Sequence, residues 1–269
     1  MIEENTLSTP TLASCVEIAE KAAIEAGVYL LEKVGQSTVK AQKSSRDELL
    51  DADIEAERIL IERFHTETPH IGVLSEEAGF EGSHDQYWII DPLDGSANFQ
   101  HGSPLFAIAI ALIIHGQVQA GVIYLPTSNE MFTAIKQHGA YLNGKRIAVS
   151  EVATFRQAVI HFGDFTKADD PQSSKEGLID FSRLVTEAQR IRMIGTAAMD
   201  LAYVACGKAE ALVNSSTHPW DIEAGKLLVQ EAGGQTTTLQ HDRSKPLTIY
   251  SNAVLHQTIK DILKVQMPF

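Results

Sequence analysis

Two aspartates three residues apart, Asp91 and Asp94, stand at the end of a short apolar run from Tyr87 to Ile90. The run reads as a buried strand, and Pro92, which lacks an N–H and fixes φ, marks its expected end. Gly95 and Ser96 follow. Glycine lets the backbone come close to a ligand, and successive N–H groups in such a turn form an anion-binding nest. Carboxylates beside an anion nest make chemical sense when a cation sits between them and a phosphate. Mg²⁺ suits that arrangement, because it takes oxygen ligands and is held by one or two carboxylates plus substrate phosphate. Taken singly, Asp91-Pro92 and Asp94-Gly95 are ordinary turn signals. Other carboxylates have equally plain readings. Asp51 and Asp53 open a helix, where the dipole favours acidic residues. Glu76 and Glu77 follow a short strand, Ile71–Leu74, as solvated charge. Asp221 starts a helix, where aspartate is a common cap.

The whole stretch Asp91-Pro92-Leu93-Asp94-Gly95-Ser96-Ala97-Asn98-Phe99 resembles the first metal-binding motif of the inositol monophosphatase family, which are Mg²⁺-dependent, lithium-sensitive sugar phosphatases. The second motif of that family, Trp-Asp-x-x-Ala-Gly, has its likeness in Trp220-Asp221-Ile222-Glu223-Ala224-Gly225. The resemblance implies a phosphoric monoester hydrolase of the inositol-phosphate phosphatase type, acting on inositol 1-phosphate and related small sugar phosphates. It implies a first Mg²⁺ held by Glu76, Asp91, the carbonyl of Leu93 and Ser96, and a second held by Asp91, Asp94 and Asp221. Asp53, paired with the hydroxyl of Ser96, would deprotonate the attacking water, and the second ion would stabilise the leaving ester oxygen in an in-line displacement. A third Mg²⁺ near Glu76 is left open. Glu77 would shape the site, and Lys43 would supply the lysine of the loop before the second helix. Substrate contacts would come from Gly95, Ser96, Thr196, Ala197 and Asn214, the last standing where animal members carry a glutamate that binds inositol hydroxyls.

Rival activities stay open at this point. Asp94-Gly95-Ser96 also resembles dual enzymes that hydrolyse fructose 1,6-bisphosphate. Bisphosphate nucleotidases and histidinol-phosphatases, which often carry lysine after Asp-Gly-Thr, fit less well. A regulatory binding protein is the reading from another class.

These residues need a scaffold. The resemblance implies a layered αβαβα sandwich, of mixed α/β (α+β) class, with an N-terminal half over residues 1–149 carrying most metal ligands and a C-terminal half over 150–269 carrying Asp221 and the substrate contacts. The pattern itself predicts a first helix opening at Thr9-Pro10, with an apolar stripe through Leu12, Val16, Ala19, Ala23, Ala26, Leu30 and Val34, ended by Gly35. Val39–Leu50 reads as a polar loop and Asp51 to about His65 as the second helix. Strands follow at Phe106–Ile114, Gln117–Tyr124 and Glu130–Ile135, with Asn143-Gly144 as a hairpin turn. In the second half, Ala158–Phe162, Arg190–Ile194 and Ala209–Val213 read as strands. Helices are predicted over Glu176–Gln189, from Gly195 to Cys206, and over Asp221–Ala232. Small residues at the start of the helix after Gly195 leave its N–H groups open to an anion.

Length and composition bound the rest. The chain has 269 residues, 44% hydrophobic and 21% charged, ordinary values for a soluble globular protein. The longest apolar run is strand-sized, so no membrane span is expected. The acidic start, Met1-Ile2-Glu3-Glu4, does not resemble a targeting peptide. Cys15 and Cys206 show no paired spacing and read as reduced thiols of a cytoplasmic protein. A formal net charge of −13 argues against nucleic acid as a partner. A small phosphate ester is the expected partner. Its negative charge is compatible with this chain once metal ions invert the local potential. A homodimer is implied by the resemblance alone.

Overall fold

A computed structural model describes residues 11–44, 47–165, 170–215, 218–240 and 245–264. The elements in chain order are α1 (Leu12–Lys33), β1 (Val39–Ser44), β2 (Asp47–Leu50), α2 (Asp51–Glu67), β3 (Gly72–Ser75), β4 (Gly79–Glu81), β5 (Gln86–Asp94), α3 (Ser96–Gln100), β6 (Ala107–Ile114), β7 (Gln117–Leu125), β8 (Glu130–Ile135), β9 (Gly139–Leu142) and β10 (Lys145–Ile147). They continue as β11 (Val159–Phe162), α4 (Pro171–Glu187), β12 (Arg190–Arg192), α5 (Ala197–Ala205), β13 (Ala211–Asn214), α6 (Pro219–Glu231), β14 (Gln235–Leu239), β15 (Leu247–Ser251) and α7 (His256–Lys264).

Strands β3 to β10 form an eight-stranded sheet in the order β10-β9-β8-β7-β6-β5-β3-β4, and a five-stranded sheet runs β12-β11-β13-β15-β14. Both are mixed, since β3 pairs parallel to β5 and β11 parallel to β12 and β13, while the remaining pairs are antiparallel. Residues 148–158 carry the chain from one sheet to the other.

The long apolar run of β6 shows why the layers form. Alternate side chains point to opposite faces of a strand. Ile108, Ile110 and Leu112 face α1 and α2, packing with Trp88, Leu60 and Phe64. Ala107, Ala109, Ala111 and Ile113 face α5 and α6, which also meet Leu212 and Tyr250 of the second sheet. The outer face of that sheet, with Ile160, Phe162, Val213 and Ile249, buries Leu184 of α4 and Ile259 of α7. The order is helix, sheet, helix, sheet, helix. Small residues bring the central helices close. A Cβ on Gly121 of β7 would lie 2.9 Å from the Ala224 carbonyl of α6, and one on Gly225 would lie 2.4 Å from Leu201 of α5.

Several local expectations are corrected. The first helix starts at Leu12, with the Thr11 side chain as its cap, accepting from the Ser14 N–H; Thr9 and Pro10 lie outside the described residues. Within Val39–Leu50, read as a plain loop, β1 and β2 pair as antiparallel strands. Its strands are largely exposed, so no apolar alternation announced them. β5 does not stop at Asp91 but runs on to Asp94. Asp91 pairs with Ala109 and Asp94 with Ala107, so Pro92 and Leu93 oppose the single residue Ile108. Proline is tolerated in such a bulge because no ladder bond is asked of it. The hairpin turns at His115-Gly116 and Asn143-Gly144 carry positive φ at both positions, as type I′ turns require. No helix among the described residues is long and apolar enough to cross a membrane.

Candidate active site

The bulge that ends β5 aims its carboxylates and starts the site. Asp91, 2% exposed, accepts the Leu93 N–H at 3.1 Å. Gly95 turns the chain at φ +99°, and a Cβ there would approach the Leu105 carbonyl to 3.0 Å and Thr196 Cβ to 3.3 Å. A side chain at 95 would therefore be strained twice, by conformation and by contact. Ser96 opens α3, with its Oγ 3.1 Å from Asp53 Oδ1 and 3.0 Å from the Leu93 carbonyl. One hydroxyl proton serves one of those acceptors at a time.

Asp53 stands in the first turn of α2 and is buried. Its Oδ2 accepts the Leu50 N–H at 2.6 Å, while Oδ1 takes Ser96. The capping contact and the contact with Ser96 are both present, one oxygen for each.

The opposite wall comes from the second half of the chain. Asp94 Oδ2 accepts Thr196 Oγ1 and the Ala198 N–H, both at 2.6 Å. Thr196 caps α5, its hydroxyl also accepting the Met199 N–H at 3.3 Å. The Thr196 side chain is thus occupied with Asp94 and its own helix, and Ala197 is the first residue of α5. Asp221 lies in the first turn of α6, next to Trp220, whose ring stacks on His218 with centroids 5.0 Å apart. Asn214, 5% exposed, ends β13, and a Cβ on Gly163 would come within 2.3 Å of its Oδ1. Glu76 and Glu77 form the turn between β3 and β4 and are half-buried. Lys43 belongs to β1, but its side chain lies outside the described residues.

Asn98 has a role the motif reading did not give it. Its Nδ2 donates to the Leu105 carbonyl at 2.9 Å and to the Ile194 carbonyl at 2.8 Å, clamping the chain before α5 onto the turn after β5. Asp200 was also missed. It is buried in α5 with His161 Nδ1 2.6 Å away, and it faces the same carboxylate cluster.

The electrostatics decide what the cluster can hold. Burial, then Glu76, Asp94 and Asp221, push the Asp91 carboxyl well above the usual range, against the Leu93 N–H. Burial, Asp221 and Asp200 push Asp94 up to about 8, although Thr196 and Ala198 pull the other way. Asp94 keeps part of its surface open to solvent. Like charges gathered this closely bind a proton or a cation. Among the described residues the His, Cys, Asp and Glu side chains do not close into a three-ligand cage. The mutually repelling groups Glu76, Asp91, Asp94 and Asp221 offer oxygen donors only, a chemistry that fits Mg²⁺, which keeps waters and takes phosphate oxygens.

Comparisons with known proteins identify the family and the fold. A family model described as the inositol monophosphatase family matches residues 11–264. A Xylella fastidiosa protein named Nus factor SuhB is 38% identical over 221 residues, covering 81% of this chain and 80% of its own. The fructose-1,6-bisphosphatase/inositol-1-monophosphatase of Thermotoga maritima is 32% identical, covering 89% of this chain and 95% of its own. The crystal structure of the extragenic suppressor protein suhB from Bartonella henselae superposes with a TM-score of 0.87 at 33% identity, covering 94% of this chain and all of that one.

Proposed function

Since the chain belongs to the inositol monophosphatase family, we propose that it is a Mg²⁺-dependent phosphomonoesterase acting on inositol 1-phosphate and related small sugar phosphates. The observation that carries this reading is the Asp53–Ser96 contact placed beside the mutually repelling carboxylates Glu76, Asp91, Asp94 and Asp221.

In this reading Glu76, Asp91, the Leu93 carbonyl and Ser96 hold one ion, and Asp91, Asp94 and Asp221 hold another. When bound, the ions supply positive charge to the phosphoryl group and the leaving oxygen, and they acidify water at the site. The chain's own residues do the rest. Ser96 Oγ gives its proton to Asp53 Oδ1 as it takes one from the attacking water. The Leu50 N–H on Asp53 Oδ2 keeps that carboxylate oriented and ready to accept. Thr196 and the Ala198 N–H fix Asp94, so the leaving-group side of the site is not rearranged during reaction. Gly95, Ser96 and Ala197 are the proposed phosphate contacts, and Asn214 the proposed contact to the sugar.

Asn214 favours a second reading within the same class. Asparagine keeps an acceptor oxygen but lacks the charge that would repel a second phosphate. A broad phosphatase that also takes fructose 1,6-bisphosphate follows, in keeping with the name of the Thermotoga relative. A regulatory binding role, in keeping with the relatives named Nus factor, is separated from both by turnover. The test is phosphate release with Mg²⁺ from inositol 1-phosphate, fructose 1,6-bisphosphate, adenosine 3′,5′-bisphosphate and histidinol phosphate. Release from the first, alone or with the second, supports the proposal. No release from any of them overturns it.

A further inference from the structure

Helix α2 buries two carboxylates in its core-facing stripe. Asp53 and Glu57 are one turn apart, 2% and 7% exposed, among Ala52, Ala56, Leu60 and Phe64. Residues four apart on a helix share a face. A buried carboxylate is costly and is a poor way to gain stability where an apolar residue would pack. Asp53 has its contact with Ser96. Glu57 lies 39 residues before the first residue of α3 and, among the described residues, its hydrogen bonds go neither to that serine nor to the turn that ends β5. Its Oε1 instead accepts three donors from the end of β3 and the turn that follows it. They are the Ser75 hydroxyl, in a very short contact, the Glu77 N–H at 3.2 Å and the Ala78 N–H at 2.9 Å.

Those three donors bracket Glu76. One atom of Glu57 pins the residue before it and the two residues after it. An ionised acceptor makes such bonds shorter and stronger than a neutral one. Ser75 is itself buried, so its hydroxyl has no easy alternative in solvent.

We infer that Glu57 is a positioning residue for the cation site, fixing the turn that carries Glu76 as a ligand. The inference rests on the proposed reading of Glu76 as a metal ligand. One face of α2 then sets two parts of the site a turn apart, the serine that relays the proton and the glutamate that binds the ion. Groups that orient metal ligands in this way are worth about 10- to 100-fold in metal affinity.

The test is Mg²⁺ binding to chelator-stripped protein, measured by calorimetry and by the rise in Tm, with kcat measured separately at saturating Mg²⁺. Glu57→Gln keeps the shape and an acceptor oxygen but loses the charge. It is expected to raise the Mg²⁺ dissociation constant about tenfold and to leave saturated kcat within about twofold of wild type. Ser75→Ala removes one donor and is expected to weaken binding roughly threefold; it carries the test if Glu57→Gln does not fold. Thr68→Ala, which deprives the Trp88 indole N–H of its buried acceptor away from the site, is the stability control. It should lower Tm without moving Mg²⁺ affinity. Wild-type affinity in both Glu57→Gln and Ser75→Ala, or an equal shift in Thr68→Ala, overturns the inference. Glu76→Gln keeps the two failures apart. If wild type binds no Mg²⁺, the functional reading falls. If wild type binds, Glu76→Gln weakens it and Glu57→Gln does not, only the role of Glu57 falls.

Discussion

The two walls of the site are built on different principles. The wall from α2, β3 and β5 is dense in charge and rooted in buried carboxylates, with Asp53 and Asp91 each 2% exposed and each held by a main-chain N–H. The wall from α5, β13 and α6 contributes helix starts and neutral groups, Thr196, Ala197 and Asn214, with Asp221 as its proposed ligand. Asp94 belongs to the first wall by sequence and to the second by its hydrogen bonds. The difference separates chemistry, which needs fixed charges, from selectivity, which needs replaceable contacts.

If that division holds, stripping the metal strikes the first wall hardest. Exhaustive chelation should abolish phosphate release, Mg²⁺ should restore it, and Li⁺ should inhibit through the second ion's place. Full activity after EDTA breaks the comparison outright. Next in size is Asp94→Asn, which should lower kcat by at least roughly two orders of magnitude, since a metal-stabilised leaving group is worth several kcal/mol. The amide can still accept from Thr196 and Ala198, and the cost of holding a carboxyl whose pKa is pushed up to about 8 is removed, so the Tm of the metal-free protein should hold or rise. A variant with normal turnover would show that Asp94 serves the fold alone.

The second wall should answer differently. Asn214→Glu should raise the preference for inositol 1-phosphate over fructose 1,6-bisphosphate, measured as the ratio of kcat/KM values. The expected change is roughly tenfold, the worth of about one kcal/mol between neutral and charged acceptors, with metal dependence unmoved. An unchanged ratio would remove residue 214 from the substrate's surroundings and leave the first wall as it stands.

The smallest effect lies behind the second wall. His256 is held between Ser251 Oγ, 2.7 Å from Nδ1, and Thr237 Oγ1, 2.8 Å from Nε2. Burial, and then Lys260, lower its pKa. The folded protein therefore prefers the neutral ring. That contribution is complete above the unfolded value of about 6.5 and is lost as pH falls below it. The Tm advantage of wild type over His256→Asn should shrink between neutral pH and about pH 5, by on the order of 2 °C. A constant difference would show that the ring's protonation does not matter to the fold.

How legible all this was depends on what each residue leaves in the sequence. The doubly buried β6 announced itself as an unbroken apolar run, and both type I′ turns carried glycine. Their signals are local. The β1–β2 pair gave none, because its faces are mostly exposed and alternation has nothing to mark. The proline in β5 pointed the wrong way, since proline usually ends a strand, and only pairing with β6 shows the bulge that accommodates it. β14, β15 and α7 followed the last motif and went unread. Within the site, Asp91, Asp94 and Asp221 stood out by motif. Asn98 lay inside the motif, yet its clamp on Ile194 spans 96 residues, and nothing local encodes such a partner. Glu57 carries no motif signal, and only its three acceptor contacts single it out.

The central helix pair has a consequence for how the molecule is made. The alanine-lined face of β6 is covered by α5 and α6, which are synthesised last of the elements around it. Between Ile147, which ends β10, and Glu231, which ends α6, lie 84 residues of chain, or roughly four to seventeen seconds of ribosome time. Through that interval the first sheet is finished but bare on one side, an apolar surface with no owner. The proposed ligand set is likewise incomplete until Asp221 emerges, so under that reading a nascent chain would lack the cation's full hold. A stop codon anywhere before α6 would leave a half that is sticky as well as inactive, and quality control would meet it as an aggregation hazard rather than as a smaller enzyme.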